Sequence, residues 1–71
     1  MTQATLLCIL LYLAVIFSPG TYYQSEIDTF EAQHQGDISA IHAQPTLETQ
    51  IVNDFTPQLE FIDIFDTDAV D

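Results

Sequence analysis

Leu6-Leu-Cys-Ile-Leu-Leu-Tyr-Leu-Ala-Val-Ile-Phe17 runs for twelve residues without a charge, and its reading decides what kind of chain this is. Ser18-Pro19-Gly20 closes the run, because proline breaks the helical hydrogen-bond ladder and glycine favours a turn. With Ala4 and Thr5 included, the stretch gives about 21 Å of helix at roughly 1.5 Å per residue. A bilayer core of about 30 Å asks for roughly twenty residues. The length therefore fits the apolar region of a secretion signal better than a membrane-spanning helix.

The flanks point both ways. Small residues at Ser18 and Gly20 suit cleavage after Gly20. Met1-Thr2-Gln3, however, carries no basic side chain, which secretion signals usually have. An uncleaved anchor stays open, with membrane insertion through Leu6–Phe17 and with Tyr22 and Tyr23 as interfacial aromatics. A buried helix in a globular protein is a third reading. The sequence argues against it, since little chain remains downstream to cover the run. The expected organisation is thus a signal peptide or anchor over residues 1–20 and an acidic, partly helical segment over residues 21–71.

That second segment holds all eleven carboxylates, and the whole chain of 71 residues contains no lysine or arginine, for a net charge of -11. Without cations the chain has nothing to grip phosphates or anionic headgroups, so nucleic acid is not an expected partner. Cationic membrane-lytic peptides and dibasic-processed hormone precursors are excluded for the same reason. The charge also opposes compaction by self-repulsion. Cys8 is the only cysteine, so no internal disulfide can offset it. Chains of this size usually need such a staple, a metal or a partner. The expected fold is mostly α and small: an N-terminal hydrophobic helix followed by short, marginally ordered amphipathic helices, with no autonomous globular core.

Local signals mark those helices. Ser25 and Asp28 resemble a capping pair ahead of Ile27, Phe30 and His34. Gly36 ends that stretch, and Asp37 caps a short turn carrying Ile38 and Ile41. After Pro45, Thr46 caps a helix with Leu47, Ile51 and Phe55 on one face. Thr56-Pro57 signals another start. Leu59–Phe65 is ambiguous: Phe61, Ile62 and Phe65 share one side of a helix. As a strand, the same run sets Phe61, Asp63 and Phe65 against Ile62 and Ile64. Asp66–Asp71 reads as a frayed acidic end.

No pattern of chemistry-bearing residues supports catalysis. His34 and His42, even with Glu31 or Asp37, do not match a zinc spacing, and Asp63, Asp66, Asp68 and Asp71 lack the glycine turn of a calcium loop. The Ser, His and Asp residues have no nucleophile context, and Cys8 sits where a thiolate is disfavoured. No enzyme activity, cofactor or metal is expected. Phe61-Ile-Asp-Ile-Phe65 resembles the FxDxF peptides that bind clathrin-adaptor appendage domains. Ile62-Asp-Ile-Phe65 with its acidic neighbours also resembles SUMO-interaction peptides, which add a strand to an exposed sheet edge. Both resemblances imply a cytosolic chain.

The function expected from these features is that of a small, secreted, non-enzymatic protein acting by binding. Leu47, Ile51, Phe55, Phe61, Ile62 and Phe65 are the candidate contact residues, the partner is a protein with a basic or apolar surface, and self-association stays open. The alternative is a single-pass accessory subunit or regulator of a membrane complex.

Overall fold

The computed structural model describes residues 1–66, and residues 67–71, with Asp68 and Asp71, lie outside the described part. The order of elements is α1 (Gln3–Tyr12), β1 (Gly20–Tyr23), α2 (Gln24–Gln33), α3 (Gln35–His42), α4 (Pro45–Phe55), a 3₁₀ turn (Thr56–Phe61) and β2 (Ile62–Phe65). The mostly helical reading holds.

α1 is the apolar run, and it ends earlier than Pro19 requires. Thr2 caps its start by accepting from the Thr5 amide at 3.2 Å. At the other end Ala14 takes a left-handed backbone with φ 63. Its amide donates to the Leu11 carbonyl at 3.0 Å, and the Val15 amide donates to Leu10 at 2.9 Å. This pair of bonds is a Schellman close, normally built on glycine. Because alanine occupies the left-handed position, the sequence carried no visible stop before Ser18.

A helix apolar on every side has no face to give to water and is stable only when surrounded. Six consecutive residues of α1, Leu6 to Leu11, are buried. Around them lie Ile27 from α2, Ile38 and Ile41 from α3, Ile51 from α4 and Ile62 from β2, joined by Ile16. Phe30, Leu47, Val52, Phe55, Leu59 and Ile64 complete the packing as half-buried residues. The expectation of no autonomous core is therefore corrected. A helix only about 15 Å long needs few apolar residues from each neighbour, and the isoleucines spaced along the acidic segment supply them. The radius of gyration, 12.1 Å, sits near the roughly 11 Å of a packed chain of this length and far from the roughly 26 Å of an unfolded one.

The remaining helices follow their local chemistry with shifted boundaries. α2 starts at Gln24 rather than after Ser25, because Glu26 at its third position reaches back to the Tyr23 amide at 2.9 Å. Gly36 does not end a helix. It lies in the first turn of α3, and the break falls at His34. Pro45 opens α4, where its fixed φ and missing N–H cost nothing, so Thr46 is not the cap. At the α3–α4 corner His42 Nδ1 and Glu48 Oε2 lie 2.9 Å apart. Thr56-Pro57 begins a 3₁₀ turn, not a further α-helix.

The ambiguous last segment resolves as a strand. β2 pairs in parallel with β1, matching Gly20 to Ile62, Thr21 to Asp63, Tyr22 to Ile64 and Tyr23 to Phe65. A parallel pair needs a long crossover, and here α2, α3 and α4 together provide it. Gly20 is required at the start of β1, since a Cβ there would lie 2.6 Å from the Phe17 carbonyl oxygen. On the inner side of the sheet the Tyr22 hydroxyl accepts from the Phe17 amide at 2.9 Å, and its ring meets Phe30 edge to face.

Candidate functional site

The two strands divide their side chains cleanly by alternation. Tyr22, Ile62 and Ile64 turn inward: Ile62 is buried, and Tyr22 and Ile64 are half-buried against the core. Thr21, Tyr23, Asp63 and Phe65 are exposed, and Phe61 at the close of the 3₁₀ turn joins them. Phe61 is 56% exposed, Phe65 52% and Tyr23 43%; Phe17, at 64%, and Tyr12, at 48%, are exposed elsewhere on the surface. The Tyr23 and Phe65 rings, directly opposite in the register, lie 6.0 Å apart at 49°. Asp63 on β2 follows Phe61, the last residue of the 3₁₀ turn, and precedes Phe65, with Glu60 before it and Asp66 after it, all exposed. The outer face of the sheet is thus a small aromatic plate bordered by carboxylates.

The six contact residues expected from sequence fall into two groups. Phe61 and Phe65 lie in this plate. Ile51 and Ile62 are buried in the core, and Leu47 and Phe55 pack against it. Phe55 also meets Tyr12 of α1 edge to face, with centroids 6.5 Å apart. Their helical spacing signalled a face turned to a partner, and here the partner is α1 of the same chain. Sequence reasoning missed Tyr23. Its signal is the β-prone run Thr21-Tyr-Tyr23.

Other chemistry-bearing side chains do not converge. His34 and His42 each face a different carboxylate: His34 lies 4.0 Å from Asp37, and His42 pairs with Glu48. No group of three or more His, Cys, Asp or Glu able to hold a metal occurs among the described residues. Cys8 is buried in α1, with Sγ 3.9 Å from the Val52 carbonyl and 3.8 Å from the Thr56 hydroxyl. Desolvation raises its thiol pKa above 9.0, with the Thr56 hydrogen bond partly opposing the shift, so it stays a protonated core residue. A cleft of about 310 Å³ opens between the N-terminus, α2 and α3, lined by Met1, Glu31, Gln35, Ile38, Ser39 and His42. Ile38 forms its floor, and no cluster of buried polar groups points into it.

Comparison with known proteins leaves the chain by itself: no family model matches it, and no curated protein or solved structure does. Among the described residues no helix is long and apolar enough to cross a membrane.

Proposed function

We propose that this chain is a small, exported, non-enzymatic binding protein that uses the outer face of its β1–β2 sheet to hold a protein partner with a basic and apolar surface. The observation that carries the reading is the plate of Tyr23, Phe61 and Phe65 left exposed around Asp63. A small fold that buries six consecutive residues of one helix yet leaves these rings in water spends exposed apolar area where contact would be made. Aromatic residues are the side chains most enriched at binding surfaces. Carboxylates on a chain with no lysine or arginine set the sign of the partner and speed its approach.

Export belongs to the same proposal, carried by Leu6–Phe17 while the nascent chain is still unfolded. The fold attaches a condition to it. Cleavage after Gly20 would remove Leu6, Leu7, Cys8, Ile9, Leu10, Leu11 and Ile16, seven of the twelve buried core residues among those described. The form that displays the aromatic plate on this fold is the one that keeps residues 1–20.

The binding reading is tested by titrating the full chain with two cationic heptapeptides, KVKVKVK and KKKKVVV, while following the ring signals of Tyr23, Phe61 and Phe65 by NMR. Those rings should shift, and a variant carrying Tyr23→Ser, Phe61→Ser and Phe65→Ser should lose the response while keeping its helical circular dichroism. Absence of any ring shift with either peptide overturns the reading. Mass measurement of the exported product reports separately on residues 1–20: an intact chain outside the cell supports export of the folded binder, and a product starting at Thr21 refutes its condition.

A further inference from the structure

Resting on that binding reading, we propose that the partner docks as an added β-strand along the open edge of β2, with lysine or arginine alternating with apolar residues. Among the described residues the sheet has two strands, in the order β1–β2, so β2 has a strand on one side and none on the other. Alternate residues of a strand turn their N–H and C=O groups toward each edge. An unpaired edge is a template for another strand, and adding one supplies main-chain hydrogen bonds that a flat patch of side chains cannot.

Charge selects which strand can use that template. An exposed edge beside Phe61, Phe65 and Tyr23 would invite a second copy of the same chain. Asp63 occupies the middle of β2 and Glu60 and Asp66 flank it, and each copy carries a net charge of -11 with no lysine or arginine to pair across the seam. Edge-to-edge pairing of two copies sets like charges side by side, which destabilises the pair. The same carboxylates favour an incoming strand that is basic.

The alternation of β2 then reads out as a code for the incoming side chains. On the outer face they lie beside Phe61, Asp63 and Phe65, with Tyr23 one strand further in. A lysine or arginine there pairs with Asp63 while its charge lies over the Phe65 or Tyr23 ring, an arrangement favourable to cation–π contact. On the inner face the incoming side chains continue the row of Ile62 and Ile64, which belongs to the core, and are apolar. The partner segment has period two, cation out and aliphatic in, and spans about the four residues of β2.

The two heptapeptides separate this proposal from the reading beneath it, because they share one composition and only KVKVKVK has the alternation. KVKVKVK should bind the full chain at least about tenfold more tightly than KKKKVVV. It should slow amide exchange within residues 62–65 by at least about tenfold, the signature of new main-chain bonds at the edge. Asp63→Lys, an exposed substitution, should weaken KVKVKVK at least about tenfold without altering the circular dichroism of the free protein. Equal affinity for both peptides with unchanged exchange at residues 62–65 overturns strand addition and leaves the aromatic plate as a simple charged contact. Failure of both peptides to bind removes the binding reading and this proposal together.

Discussion

Replacing Leu10 by alanine tests whether α1 is the core of this protein. Leu10 is fully enclosed, as is Ile9 beside it. Deleting three carbons forfeits about 2.4 kcal/mol of transfer free energy at roughly 0.8 kcal/mol each, and measured Leu→Ala costs of about 2–5 kcal/mol include the cavity left behind. A 71-residue chain at about 0.05–0.15 kcal/mol per residue has about 4–11 kcal/mol in total, and its charge places it toward the low end. Leu10→Ala should therefore remove about half of the stability or more. Urea unfolding followed by circular dichroism, with a slope of about 1 kcal/mol per molar for a small chain, should show the midpoint falling by about 2 M or more, or no folded baseline at all. Phe17→Ser, at a site 64% exposed, is the control and should stay within about 0.5 kcal/mol of the parent. The scan has a pattern as well as a size. Because α1 is buried all round, alanine at each of Leu6, Leu7, Ile9, Leu10 and Leu11 should be costly, whereas a helix docked by one face would show costs recurring with its turn. A periodic pattern, or a Leu10→Ala midpoint equal to that of Phe17→Ser, refutes the central placement of α1.

Four further outcomes follow from single features. Ala14→Gly relieves a left-handed residue at φ 63 and should stabilise the fold by about 0.5–1 kcal/mol in the same urea assay; destabilisation would count against the Schellman close. Gly20→Ala drives a Cβ toward the Phe17 carbonyl oxygen at 2.6 Å and should cost about 1–3 kcal/mol, so a neutral variant would show that β1 does not start in this geometry. Raising salt from about 0.01 M to about 0.15 M shortens the Debye length from about 30 to about 8 Å; the melting temperature should rise, and a fall would mean that attractive rather than repulsive charge pairs dominate. Cys8 should resist alkylation until urea unfolds the chain, because its thiol is buried and its pKa raised. The sign of its linkage is fixed by that direction: its contribution is fully present below pH 9.0 and is lost as pH rises above it, since the unfolded chain ionises the thiol first. Stability of Cys8→Ala that declines just as steeply across that alkaline range would remove the thiol as the cause.

Much of the local structure was legible in the residues. Pro45, Thr56-Pro57 and the spacing of Leu47, Ile51 and Phe55 mark where chain direction and apolar faces change. The alternation in Phe61–Phe65 contained the correct division of inward and outward side chains, although period alone could not choose strand over helix in so short a run. The choice came from β1, because a lone four-residue strand has no ladder until Gly20–Tyr23 lies beside it. The same pairing brings Tyr23 to Phe65 and makes the candidate site, and no local feature of either segment announces that meeting.

The sequence by itself determined the sign of the charge, -11 with no lysine or arginine, because charge is a property of composition and does not depend on where residues lie. It also determined that most of Leu6–Phe17 must be covered, since a run of uncharged, mostly aliphatic residues has no polar face to offer water. Leu6 to Leu11 and Ile16 are buried, while Tyr12, Ala14 and Phe17 stay exposed. Where that run goes was decided by tertiary structure alone. Isoleucines at positions 27, 38, 41, 51 and 62 are scattered along an acidic chain and look too sparse to hold a core. Brought around a single short helix they enclose it, because burial depends on how many apolar side chains meet in space and not on how many stand together in the sequence.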